Sequence, residues 1–167
     1  MKPGASDDRH PPGGRARRSL VLGVLLLAAV VSPRWLRVNV SPRAPLGLYR
    51  LAPVPPVVAR GTLVGLAVPP SVQHVWSRWL PLLKPVAGTR GDTVCSTEDR
   101  LFINGEDYGP ILRTAHGRPL PQLQGCLVVQ AGEVFLASPI AHSLDSRYFG
   151  PVPIAALTAQ ATPLLTW

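Results

Sequence analysis

Lysine is almost absent from this chain: of seventeen Lys and Arg side chains, only Lys2 and Lys84 are lysines. A cationic surface here is therefore built from arginine, whose charge is permanent, while Lys84 is the one amine beyond residue 2 that can lose its proton. Acidic residues are also few, nine in all, which leaves a net charge of +8. That balance invites a nucleic-acid reading, but apart from the cluster at residues 1–18 the arginines are scattered singly. No DNA- or RNA-binding motif accompanies them, so nucleic acid is not an expected partner. Cys95 and Cys126 are the two cysteines, and neither sits in metal-ligand spacing, so no metal or cofactor is expected. No repeat of fixed period occurs, which excludes a solenoid. Long apolar runs are missing too, the longest being Leu20–Val31.

What the chain has in abundance is proline and glycine, twenty and fifteen residues. They argue against long helices and for short strands joined by fixed turns. With 167 residues and a hydrophobic fraction of 46%, the chain suits one domain with a proper core.

The N-terminus reads as targeting. A basic segment, residues 1–18, precedes the apolar run, which Ser32-Pro33 interrupts before Trp35-Leu36. Twelve apolar residues have the length of a signal-peptide core, but no small-x-small cleavage site follows. Extended past Pro33 to Leu36, the segment approaches spanning length, and a signal anchor over residues 19–36 is expected. Positive charge before it keeps the N-terminus in the cytoplasm and sends residues 37–167 across the membrane. Export agrees with a Cys95–Cys126 disulfide, the alternative being two buried thiols.

Beyond the anchor, Leu46–Ala52 and Thr62–Val68 read as strands, and Asn104-Gly105 marks a tight hairpin turn. Cys126–Gln130 and Glu133–Ser138 read as a second hairpin across Ala131-Gly132. One helix is predicted after Ser71, with Val72, Val75, Trp76, Trp79, Leu80 and Leu83 on one face and Pro81 near its end. The fold class is mainly β: one antiparallel β domain behind an N-terminal membrane anchor.

Lys84 lies inside the apolar run Trp79-Leu-Pro-Leu-Leu-Lys84-Pro-Val. Leu82, Leu83 and Val86 would desolvate its ammonium and favour the neutral amine, making it a candidate general base. A lysine snorkelling from an amphipathic segment is the alternative. Three further stretches could carry chemistry. Asn39-Val-Ser-Pro-Arg-Ala-Pro-Leu-Gly-Leu-Tyr49 is a constrained loop offering the Ser41 hydroxyl, and Gly88-Thr-Arg-Gly-Asp92 is a turn entering a strand. In Ser143-Leu-Asp-Ser-Arg147, strand alternation would bring Ser143, Asp145 and Arg147 to one face.

Three motifs together resemble the boxes of the type I signal peptidase family, most nearly its conjugative-transfer, TraF-like branch. They are Asn-x-Ser-x-x-x-Pro-x-Gly-Leu-Tyr, Leu-Leu-Lys-x-Val-Ala-Gly-x-x-Gly-Asp-Thr-Val-Cys and Ser-x-Asp-Ser-Arg-Tyr-Phe-Gly-Pro-Val. The likeness runs from Asn39 to Trp167. It implies a signal-peptidase-like β domain anchored in the bacterial inner membrane and facing the periplasm. The implied activity is Ser/Lys cleavage of an exported, pilin-like precursor after small residues.

Matched position by position, the resemblance implies Lys84 as general base, Ser143 as the hydroxyl that orients it, and Asp145 and Arg147 as the pair bracing the site. Ser41 matches an oxyanion-hole donor. The family's nucleophilic serine, in Ser-x-Pro-x-Gly, is replaced here: the chain reads Arg43-Ala44-Pro45-Leu46-Gly47. Arginine offers no nucleophile, so either Ser41 substitutes for it or the chain is a catalytically silent relative that binds the precursor.

Overall fold

The computed structural model describes residues 35–39, 44–140 and 142–167. The basic segment and nearly all of the expected anchor lie outside these residues, as do Ser41 and Arg43. Among the described residues, no helix is long and apolar enough to cross a membrane. Leu36, the last residue of the expected anchor, opens strand β1 (Leu36–Asn39), and a compact unit runs from Leu36 to Trp167.

That unit is mainly antiparallel β, as the sequence predicts. Its larger sheet has seven strands in the order β1, β2 (Gly47–Ala52), β13 (Leu157–Thr166), β3 (Leu63–Leu66), β4 (Leu82–Gly88), β11 (Glu133–Leu136) and β12 (Val152–Pro153). The long β13 is its spine, pairing with β2 through Gln160–Thr166 and with β3 through Leu157–Ala161. Gly47 is required where β2 meets β13, since a Cβ there would come within 2.1 Å of the Leu165 carbonyl oxygen.

The smaller sheet has four strands, in the order β10 (Gly125–Val128), β5 (Thr93–Ser96), β6 (Arg100–Ile103) and β7 (Glu106–Pro110). The β6–β7 turn is the expected Asn104-Gly105 pair, both at positive φ (51° and 83°). Cys126 sits directly opposite Cys95 in the β10–β5 register, and the two form a disulfide. A two-residue ladder, β8 (Thr114–Ala115) with β9 (Arg118–Pro119), completes the strands. One core joins the sheets: Val64 of β3, Val94 of β5, Leu101 and Ile103 of β6, and Phe135 and Leu136 of β11 are all fully buried.

Three expectations need correction. The helix after Ser71 is absent. Pro70–Val72 form a single 3₁₀ turn capped by Pro69 without a side-chain bond, turns follow, and Leu82 already belongs to β4. The ten residues between Pro70 and Pro81 are too few to sustain a helix unless its apolar face is covered, and Trp79 and Leu80 are exposed. Gln73 and Trp76 bond nearby carbonyls instead, those of Val68 and Leu80.

The second correction concerns the hairpin across Ala131-Gly132. Its two strands exist as β10 and β11 but do not pair: β10 follows the disulfide to β5, while β11 pairs with β4 and β12. The turn carries the chain between sheets. Third, Ser143–Arg147 is not an alternating strand. Asp145 is the N-cap of a one-turn helix, α1 (Ser146–Phe149), its side chain accepting a bond from the Arg147 amide.

Candidate active site

Strand β4 delivers Lys84. Alternation along the strand places Lys84 with Leu82 and Val86 on the inward face, and these three are 2%, 4% and 1% exposed. A snorkelling surface lysine is thereby excluded. Its Nζ donates a 2.8 Å hydrogen bond to the Ser143 hydroxyl, 59 residues away in sequence. Ser143 is itself fully buried.

Close to Ser143 in sequence stands a buried ion pair. The Arg147 guanidinium donates from Nε to Asp145 Oδ1 at 2.7 Å and from an η nitrogen to Oδ2 at 3.1 Å. Its η nitrogens also reach the carbonyls of Pro110 and Ser138, both at 2.6 Å. Asp145 accepts in addition from the Ser138 amide at 3.2 Å. Both side chains are completely buried, and each of their nitrogens and oxygens has a partner, in a fork geometry that lysine could not reproduce. The pair thus fixes the ends of β7, β11 and α1 relative to one another. Ser146 adds a further tie by accepting from the Leu136 amide. Burial pushes the neighbouring Tyr148 phenol above its ordinary value, and its oxygen accepts from the Leu112 amide.

Lys84 borders a pocket of about 310 Å³ with a mostly apolar lining. Ala44, Gly65, Ala159 and Ala161 provide small walls, and Tyr49, Leu82 and Leu144 larger ones. Trp76 and Leu80, from the connection that does not form a helix, close one side. The volume is at the low end of ligand sites, roughly 300–1,000 Å³, and suits small side chains. Among the described residues no group of His, Cys, Asp or Glu could hold a metal ion.

Ser41 and Arg43 lie outside the described residues, but the chain on either side of them is placed. Asn39 and Ala44 both line the pocket. The Asn39 amide donates to the carbonyls of Ala44 and Pro45, each at 3.0 Å, and the Tyr49 hydroxyl donates to Pro45 at 2.6 Å. Burial raises the Tyr49 phenol above its ordinary value. Asn39, Ala44, Pro45 and Tyr49 are thereby tied to one another at the pocket.

Of the residues predicted from sequence, the structure brings Lys84 and Ser143 into contact and pairs Asp145 with Arg147 behind them. Sequence reasoning assigned no role to Asn39, Ser138 or Arg37, which also line or brace the site. Asn39 stood at the head of a quoted motif and was the one with a signal.

Comparison with known proteins assigns the chain. Residues 17–167 match the family described as signal peptidase, peptidase S26. A probable conjugal transfer protein TraF from Sinorhizobium fredii is 32% identical, covering 92% of this chain and 93% of that protein. A conjugal transfer protein TraF from Agrobacterium fabrum is 35% identical, covering 78% of this chain and 82% of its own length. A signal peptidase I crystal structure from Enterococcus faecalis aligns at 22% identity with a TM-score of 0.39, over 64% of this chain and 97% of that one. The chain belongs to the signal peptidase, peptidase S26, family, in its conjugative-transfer, TraF-like branch.

Proposed function

We propose that this protein is a membrane-anchored serine endopeptidase that processes an exported, pilin-like precursor in conjugative transfer. The observation that carries the reading is Lys84: 2% exposed, bonded to Ser143, and at the edge of a pocket with small walls. In this reading the neutral Lys84 amine takes the proton of an attacking hydroxyl as its oxygen adds to the scissile carbonyl. The ammonium so formed returns that proton to the leaving amine, and water then releases the acyl group from the ester. Ser143 holds the amine in line, while Asp145 and Arg147 keep Ser143 in place. With Arg43 at the family's nucleophile position, the hydroxyl is assigned to Ser41, which lies in sequence between the pocket-lining residues Asn39 and Ala44.

Residues 1–18 are assigned to the cytoplasm, residues 19–36 to the inner membrane and residues 37–167 to the periplasm. The family membership and the disulfide both support this arrangement.

Arg43 favours a second reading, in which the pocket still binds the precursor but no bond is cut. Loss of the catalytic serine costs about a million-fold in a comparable machine. The test is incubation of the full chain in detergent with a pilin-like precursor, followed by mass spectrometry. Cleavage after small residues that Lys84→Ala abolishes supports the peptidase; retained binding without cleavage supports the silent relative.

A further inference from the structure

The pocket that Lys84 borders has a second cation among its lining residues. Arg37 lines it from β1, the edge strand of the larger sheet, and its Cα partner across the ladder is Tyr49, which also lines the pocket. Strand alternation sends Arg37 and Asn39 to the same face. Among the described residues lining the pocket, Arg37 and Lys84 are the charged ones. Arg60, Arg100, Arg113 and Arg147 are paired with Asp92, Asp107, Glu98 and Asp145, whereas Arg37, like Arg50, Arg78, Arg90 and Arg118, is in none of these pairs, and of those five it alone lines the pocket. Arg37 is exposed, and no described carboxylate pairs with it.

We infer that Arg37 is a specificity-determining residue that selects precursors carrying an acidic side chain a few residues from the small-residue segment held beside Lys84. The inference rests on the proposed precursor-binding role of this pocket. From β1 to β4 the sheet crosses four strand spacings, about 19 Å at roughly 4.8 Å each and less across a concave face. An extended peptide rises about 3.3 Å per residue, so the acidic side chain falls within about six residues of the bond presented to Lys84. A guanidinium at an open pocket end is screened, and the expected preference is correspondingly modest, about two- to fivefold in affinity.

The test uses binding, which does not require turnover. Fluorescent peptides with a central small-residue segment carry a single Glu walked through six positions on either side. Their affinities for the full chain in detergent are read by anisotropy, alongside Arg37→Gln and Arg37→Glu proteins. A window of positions where Glu tightens binding to the parent is expected. Arg37→Gln should lose that preference, and Arg37→Glu should prefer Lys at the same positions. A Glu window identical in all three proteins, or none in the parent, overturns the inference while leaving pocket binding intact. Unchanged peptide preference with weakened binding of Arg37→Glu to anionic vesicles would reassign Arg37 to lipid headgroups and also overturn it. Failure of every small-residue peptide to bind removes the pocket's proposed role and this inference with it.

Discussion

Lys84 Nζ and the Ser143 hydroxyl are 2.8 Å apart, joined across 59 residues by the packing of β4 against the segment leading into α1. Both are buried, so the bond is made where water cannot replace it. Ser143→Ala removes an acceptor from a buried amine and should cost about 1–3 kcal/mol. Lys84→Met keeps the apolar stem and dispenses with the amine, so the two changes should be coupled. Urea unfolding of the single and double variants should give a double-mutant sum smaller than the separate costs added, by at least about 0.5 kcal/mol. Additive costs would show that the two side chains do not support one another.

The Asp145–Arg147 pair makes a harsher prediction. With both side chains at 0% exposure, removing either partner strands the other's charge in the interior, and Asp145→Ala or Arg147→Ala should lose about 3–5 kcal/mol. Arg147→Lys should rescue little, since one ammonium cannot reach Asp145, Pro110 and Ser138 together. Thermal unfolding of the three variants checks both statements.

Asp92 supplies a pH dependence. Burial works against its charge, but hydrogen bonds from Asn104 and Thr89 and the Arg60 guanidinium 2.7 Å away outweigh it and hold the carboxyl below its ordinary value of 3.8. A depressed carboxyl stabilises the fold at pH values above its unfolded pKa, and that contribution disappears as the pH falls through the lower folded value. The stability gap between the parent and Asp92→Asn should therefore be constant from pH 7 to about 5 and close below about 4. A gap that persists unchanged to pH 2 would contradict the assignment.

The Cys95–Cys126 bond closes a loop of 31 residues, for which the chain-entropy relation gives about 3–4 kcal/mol. Replacing both cysteines with serine should lower stability by that order. Thiol labelling of the unfolded, unreduced protein should find no free thiol.

How far the site could be read from sequence follows from how local each feature is. Lys84 stood out because a lone lysine in an apolar run is conspicuous, and the Asn104-Gly105 turn because two positive φ angles demand those residue types. The cysteines were legible as a pair. The segment from Ser71 to Leu83 was misread because helical spacing of Val72, Val75, Trp76 and Trp79 is equally served by successive turns once proline flanks both ends. The pairing of β10 and β11 misled because neighbours in sequence usually pair, whereas here β10 pairs with its disulfide partner β5 in the smaller sheet and β11 joins the larger one. Ser138 braces Asp145 and Arg147 through its backbone, and no local pattern announces that, whereas Asn39 had its place at the head of a motif as a signal. Asp145 and Arg147 were rightly expected together, but an N-cap and one helical turn join them instead of strand alternation.

The central claim is that Lys84 still serves a hydroxyl although residue 43 is arginine. One cleavage assay of the parent, Ser41→Ala, Arg43→Ser and Lys84→Ala proteins against the same pilin-like precursor tests it most directly. The account predicts that the parent cleaves, that Ser41→Ala and Lys84→Ala abolish cleavage, and that Arg43→Ser changes it little. Cleavage by Arg43→Ser alone would contradict Ser41 as nucleophile and identify the parent as a silenced peptidase, and no cleavage by any of the four, with precursor binding retained, would contradict the peptidase itself.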